Sequence, residues 1–231
     1  MADKPETQKT RRPVRRRVGG KDYDRIPVRT KLVTKADDIA EVILDSTKDL
    51  RRPGDVIVVS EKVVAITQGR AIPESELKIG WLARILWRFV KKVPYGVGLR
   101  RPSSMQCAIN ECGAGRILLA CAVGALGKLV GRSGDFYRVA GMQAATIDAA
   151  GTSPLQPDCV IMGPNDPEGV ARCIQERTGC RAAVMDINDI GGSWALGATE
   201  GIDRKLLEAI MNDNPCGQKA EQTPVCIVRG L

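Results

Sequence analysis

The chain has 231 residues and a net charge of +8, with 43% apolar, 27% charged and 3% aromatic residues, so a core of aliphatic and alanine side chains is expected. It has eight cysteines, none in a C-x-x-C pair, and no histidine. That excludes His-based nucleophilic catalysis and His-containing zinc sites, and leaves oxygen ligands, or cysteine alone, for any metal chemistry.

No apolar run approaches the ~18 residues that span a bilayer, and the leader lacks the apolar centre of a secretory signal. A cytoplasmic protein without membrane association is expected, its cysteines reduced. The charge is uneven: residues 1–20 carry a net +5 and the remainder only +3. Residues 1–22 read as a disordered basic tail and 23–231 as the folded domain. A nucleic-acid module resting on that tail is the weaker alternative, and nucleic acid is not an expected partner.

In chain order, residues 26–34 alternate apolar and polar, as a half-buried strand does, and Asp37 is a plausible cap for the amphipathic helix that follows. R-P-G-D at 52–55 is a turn that launches V-I-V-V-S, a strand of the buried type, which is expected to continue through E-K-V-V-A-I to T-Q-G-R. Residues 74–92 predict one helix rich in Ile, Leu and Trp, closed by Lys91 and Lys92.

Residues 95–141 hold nine glycines interleaved with arginines. Two readings fit. Glycine lets backbone N–H groups approach an anion and arginine binds it bidentately, which makes Arg116, Lys128 and Arg132 candidates for holding a phosphate. Alternatively the region is a set of tight turns around a small-residue helix at 116–130. No Walker loop or Rossmann glycine motif is present.

Short strands are expected at 143–148 and 158–162. Asp166 caps a helix with Pro167 at its first position and Gly179 at its exit. R-A-A-V-M-D-I is a buried strand, followed by a loop holding Trp194, a helix near 202–212 and a terminal strand. Asp148 and Asp186 each lie where an apolar strand gives way to a Gly-containing loop, a placement suited to chemistry because the strand fixes the side chain and the loop leaves room for ligand. With Glu200 or Asp189 they supply hard oxygen ligands for Mg²⁺ or Mn²⁺. An Asp at a strand end serves equally as a turn or cap residue.

Four ordered segments carry a resemblance. P-G-D-V-I-V-V-S-E-K-V-V-A-I-T-Q-G-R, A-T-I-D-A-A-G-T-S, D-P-E-G-V-A-R-C-I-Q-E-R-T-G-C-R-A-A-V-M-D-I-N-D and V-C-I-V-R-G-L resemble, in order, motifs of the coenzyme F-420-0:L-glutamate ligase (F-420:gamma-glutamyl ligase) family. The resemblance implies an α+β fold of mixed sheets with flanking helices in one or two lobes, and a homodimer. It implies joining of L-glutamate to a small-molecule carboxylate acceptor through a γ-glutamyl amide, with GTP as co-substrate and an acyl phosphate as intermediate. It makes Asp148, Asp186 and Glu200 ligands of Mg²⁺ or Mn²⁺, with Lys62 and Arg70 supporting the phosphate.

The chain also departs from the family pattern. S-K-A-E-G-R is replaced by A-I-T-Q-G-R, which puts Ile66 and Gln68 where the pattern has Lys and Glu, N-A-G-I-D is replaced by A-A-T-I-D, and T-D-T is replaced by M-D-I. These changes leave open an acceptor other than F-420-0, such as a folate, and a noncatalytic nucleotide- or ligand-binding relative.

Overall fold

The computed structural model describes residues 14–90, 98–132, 134–152, 156–188, 192–217 and 221–231. Its centre is a six-stranded mixed sheet in the order β1-β2-β8-β3-β6-β7. The strands are β1 (Arg15–Val18), β2 (Lys21–Val28), β3 (Val56–Ser60), β6 (Arg181–Ile187), β7 (Ser193–Ala198) and β8 (Val225–Arg229). A second, two-stranded sheet pairs β4 (Ala71–Pro73) with β5 (Cys159–Ile161). The fold is therefore α+β, as expected.

β3 and β6 are parallel neighbours and every other sheet contact is antiparallel. β3 has no polar face because helices cover both sides of it. Ile57 and Val59 pack with α1 (Ile39–Thr47), α2 (Glu61–Thr67) and α8 (Pro167–Thr178). Val56 and Val58 pack on the other face with Leu207, Ile210 and Met211 of α9 (Arg204–Met211). Strands buried on both faces read as continuous apolar runs, and each fully buried aliphatic side chain contributes about 1.5–3 kcal/mol.

A third core belongs to a helical unit between β4 and β5. It is built from α3 (Trp81–Leu86), α4 (Pro102–Cys112), α5 (Ala114–Leu129), α6 (Asp135–Ala140) and α7 (Met142–Ala145), and it buries Met105, Ile117 and Ile147. The glycines of this region punctuate helices. Gly113, where α4 and α5 meet at 115°, and Gly141, between α6 and α7, hold positive φ, which is costly for other residues. No helix among the described residues is long and apolar enough to cross a membrane. All eight cysteines are free thiols.

Several expectations are corrected. Residues 15–22, read as part of a disordered tail, form an edge hairpin with β2, turned by Gly19 and Gly20, both at positive φ; residues 1–13 lie outside the described residues. Two of the four cations of this segment are paired with acids, Arg15 with Asp24 and Arg16 with Asp213. The strand expected at 26–34 begins at Lys21 and ends at Val28. The cap of α1 is Asp38, which accepts from the Ala40 and Glu41 amides, while Asp37 instead closes a turn on Thr34 and Lys31.

The helix expected over 74–92 is broken into two 3-10 turns and α3, and Lys91 and Lys92 lie outside the described residues. Residues 143–145, the start of the strand expected at 143–148, are helical and belong to α7. The loop around Trp194 is a strand, β7. The expected extension of β3 through 61–66 is helix α2, in which Val63, Val64, Ala65 and Ile66 are all buried. Burial of four consecutive residues erases the periodicity that would have marked a helix, so its β-branched residues imitate a strand.

Gly197 on β7 sits under the first turn of α8, where an added Cβ would overlap the Pro167 carbonyl and the Glu168 amide nitrogen. Gly197→Ala is expected to cost about 1–3 kcal/mol, read as a lower denaturant midpoint; a variant as stable as the parent would show that α8 does not seat this closely.

Candidate active site

The parallel pairing sets the site. Ser60 of β3 lies opposite Met185 of β6, so the chain leaves β3 as Glu61 just where β6 presents Asp186. Ligand sites in parallel sheets lie outside such carboxyl ends. Asp148 arrives from the helical unit, held by a two-bond bridge in which its amide donates to the Ile161 carbonyl (2.8 Å) and its carbonyl accepts from the Ile161 amide (3.0 Å). The Lys62 ammonium lies 2.8 Å from Asp148 Oδ2. A cavity of about 470 Å³ opens here, with Glu61, Lys62, Ile66, Asp186, Lys31 and Glu221 among its lining residues.

The electrostatics are those of crowded acids. Glu61 is only 5% exposed, and its Oε2 is buried without a hydrogen-bond partner. Burial first, then Asp186 and Asp148, push its carboxyl well above the usual glutamate range, with Lys62 opposing. Asp186 is raised by burial and by Asp148, again against Lys62. Burial pulls Lys62 down, but its pairing with Asp148 prevails and keeps the ammonium above its ordinary value. One cation thus stands among three carboxylates.

Of the residues expected in a site, the structure brings together Lys62, Asp148 and Asp186. Arg70 supports the site from behind: its guanidinium donates to the Gly163 carbonyl and, at 2.8 Å, to Glu111, while its own carbonyl accepts from Met162 just beyond β5.

The other expected residues lie elsewhere. Glu200 follows β7, and Thr199 bonds Ala182 near the start of β6, which puts Glu200 on the order of 15 Å along the strand from Asp186. It does not join the cluster because β7 runs antiparallel to β6 and carries the chain back to the other end of the strands, beside the start of β6. Arg116 donates to the Val139 carbonyl, Lys128 to that of Phe89, and Arg132 pairs with Asp135 beside Arg138. These three cations tie the helical unit together and do not line the cavity. Asp189 lies outside the described residues. Glu61 escaped the sequence reading because it was assigned to a strand; its place beside the Lys62 motif was the available signal.

An oxygen-only, carboxylate-rich donor set with an unpartnered buried oxygen fits a hard divalent cation. Among the described residues no group of three or more Asp, Glu or Cys side chains is placed to hold one ion.

A mixed sheet delivering carboxylates and one lysine to the mouth of a metabolite-sized cavity defines an α+β protein with a small-molecule site of the enzyme type. The F420-0:Gamma-glutamyl ligase family profile matches residues 27–201, and the chain belongs to that family. No curated protein is similar enough to be matched.

Because Glu61 and Asp186 hold protons more tightly folded than unfolded, folding is favoured while they are protonated. That advantage is lost as pH rises from the ordinary values of 3.8 and 4.5 through their folded values. The metal-free protein is therefore expected to lose thermal stability over that rise, and Glu61→Gln to flatten the slope. An unchanged slope in the variant would remove Glu61 from this account.

Proposed function

We propose that the chain is a γ-glutamyl ligase that uses GTP and Mg²⁺ or Mn²⁺ to join L-glutamate to a carboxylate acceptor, F-420-0 or a related cofactor. The observation that carries this reading is that Lys62, paired with Asp148, and Asp186 line the cavity at the carboxyl end of β3 and β6 in a chain of this family.

In this reading an acceptor carboxylate oxygen attacks the γ-phosphorus of GTP, the bond to the bridging oxygen breaks, and GDP leaves with an acyl phosphate formed. The glutamate amine, freed of a proton, then attacks the acyl carbon, and phosphate departs as the amide forms. A divalent cation held by Asp186 with a neighbouring carboxylate would neutralise phosphate charge. Lys62 is a positive charge beside the transferring group, and Asp148 fixes its position. Arg70 acts by holding β5, and with it Asp148, in place. Assembly as a homodimer in the cytoplasm belongs to the same proposal, and light scattering tests the dimer.

One observation favours an acceptor other than F-420-0. Ile66, where the family pattern has Lys, is 2% exposed and forms apolar cavity wall. Gln68, where the pattern has Glu, is engaged by the Asn165 backbone through both its amide nitrogen and its oxygen. That wall gives an anionic acceptor less charge to bind than the family pattern would.

Titration calorimetry with GTP and ATP, each with and without Mn²⁺, followed by mass spectrometry of acceptors incubated with glutamate, tests the proposal. Cation-dependent GTP binding and addition of one glutamyl residue are expected. Asp186→Asn is expected to lower turnover by roughly 10²-fold or more, the scale of losing one electrostatic stabiliser. Full turnover in that variant, or no binding of either nucleotide, would overturn it.

A further inference from the structure

A surface helix ordinarily turns its apolar stripe to the core and its polar side to water, and α5 does the opposite. Positions 118, 119, 122, 125, 126 and 129 share one helix face by spacing, and they carry Leu, Leu, Ala, Ala, Leu and Leu, all of them exposed. Leu126 is 63% and Leu129 83% exposed. No polar side chain interrupts this face. The charged residues of the 16-residue helix are Arg116 and Lys128, near its two ends, and each donates to a backbone carbonyl, of Val139 and Phe89 respectively.

The other side of α5 is already occupied. Gly124 and Gly127 admit α6 so closely that a Cβ on Gly127 would overlap the Asp135 carboxylate. An apolar groove of about 540 Å³ runs along the contact, with Leu126, Leu129 and Val139 among its lining residues. Arg132 and Arg138 line it too and share one acid, Asp135. Where Lys128 reaches the Phe89 carbonyl, the exposed Phe89 ring extends the apolar surface, and its neighbour Arg88 lies over the Trp87 ring.

Charge decides what fits against this face. Residues 77–134 hold ten Lys and Arg and a single acid, Glu111, which is taken by Arg70. A second copy applied about a two-fold axis would bring the same cations together, with no acid to answer them. A bilayer surface rich in anionic headgroups answers both features, with apolar depth for the leucines and negative charge for the cations around them.

We propose that the outward face of α5, with Phe89 at its end, is a docking surface for an anionic lipid bilayer. Leu118, Leu119, Leu126 and Leu129 enter the boundary between headgroups and acyl chains, while Arg88, Lys128, Arg132 and Arg138 meet lipid phosphates. The helix lies on the membrane and does not cross it, since at 16 residues it is shorter than the ~20 that a span needs. The expectation of no membrane association followed from the lack of a spanning run, which a peripheral contact does not require. The inference does not rest on the ligase reading, because none of these residues lines the cavity that holds Lys62 and Asp186.

The test is flotation of the full chain, without nucleotide or acceptor, with vesicles of phosphatidylcholine alone or mixed with phosphatidylglycerol. The parent is expected to float with the mixed vesicles, roughly tenfold less with the neutral ones, and to be released as salt rises from ~0.1 M to ~1 M, where screening shortens from ~10 to ~3 Å. Leu126→Gln/Leu129→Gln is expected to lower binding roughly tenfold or more, and because both side chains are exposed it is expected to melt no lower than the parent. Should it melt early, Leu129→Glu, which sets a like charge against the lipid, is read in its place. Arg88→Gln/Lys128→Gln is expected to weaken binding to the mixed vesicles and to flatten its salt dependence.

No flotation of the parent, equal flotation with neutral vesicles, or parental flotation in a folded leucine variant overturns the inference. So does a parent oligomer that light scattering shows to dissociate in Leu126→Gln/Leu129→Gln, which would make the face a contact between copies. Leucine-dependent flotation of a chain that ligates nothing upholds it and sinks only the ligase reading.

Discussion

The parallel pairing of β3 with β6 is the constraint on which the rest depends. Its register puts Ser60 opposite Met185, so two consecutive events, the turn from β3 into α2 and the end of β6, place Glu61 beside Asp186. Parallel strands need a crossover between them; here it is long and contains the whole helical unit. Both faces of the pair are covered by helices, so its register is held by side chains on two sides. A slip of one residue would turn Val56 and Val58 toward the wrong core.

The helical unit completes the cluster without touching the main sheet's strands in register. Asp148 reaches the site because Ile161 bridges it to the end of β5, and Arg70 secures the same strand end through Met162, Gly163 and Glu111. The site is thus shared between two cores. Lys62 spans them, rooted in α2 beside the main sheet and paired with an acid delivered by the helical unit.

The cationic character of the chain has little to do with the site. Arg116, Lys128 and Arg132 brace helix ends, and Arg15 and Arg16 are paired on the edge hairpin. A pI of 9.2 therefore describes a surface, while the cavity mouth is acidic. The family match ends at residue 201, yet the strand beyond it, β8, lies between β2 and β3 and closes the centre of the sheet.

Sequence by itself determined the elements whose signals are local. The V-I-V-V run, the Asp166-Pro167 start and Gly179 stop of α8, the apolar β6 ending in Asp186 and the terminal strand are all legible, because caps, breakers and apolar runs act within a few residues. The Gly19-Gly20 hairpin was not legible, because its arginines read as a solvated tail, and the acids that pair with them, Asp24 and Asp213, are brought alongside only by the fold. Tertiary structure alone decided three things. It made 61–67 a helix, since burial on all sides erases periodicity. It separated Glu200 from Asp186, since the antiparallel return of β7 carries the chain back to the start of β6. And it made Glu61 part of the acidic cluster, since only the pairing of β3 with β6, 125 residues apart in the register Ser60 to Met185, brings that carboxylate beside Asp186.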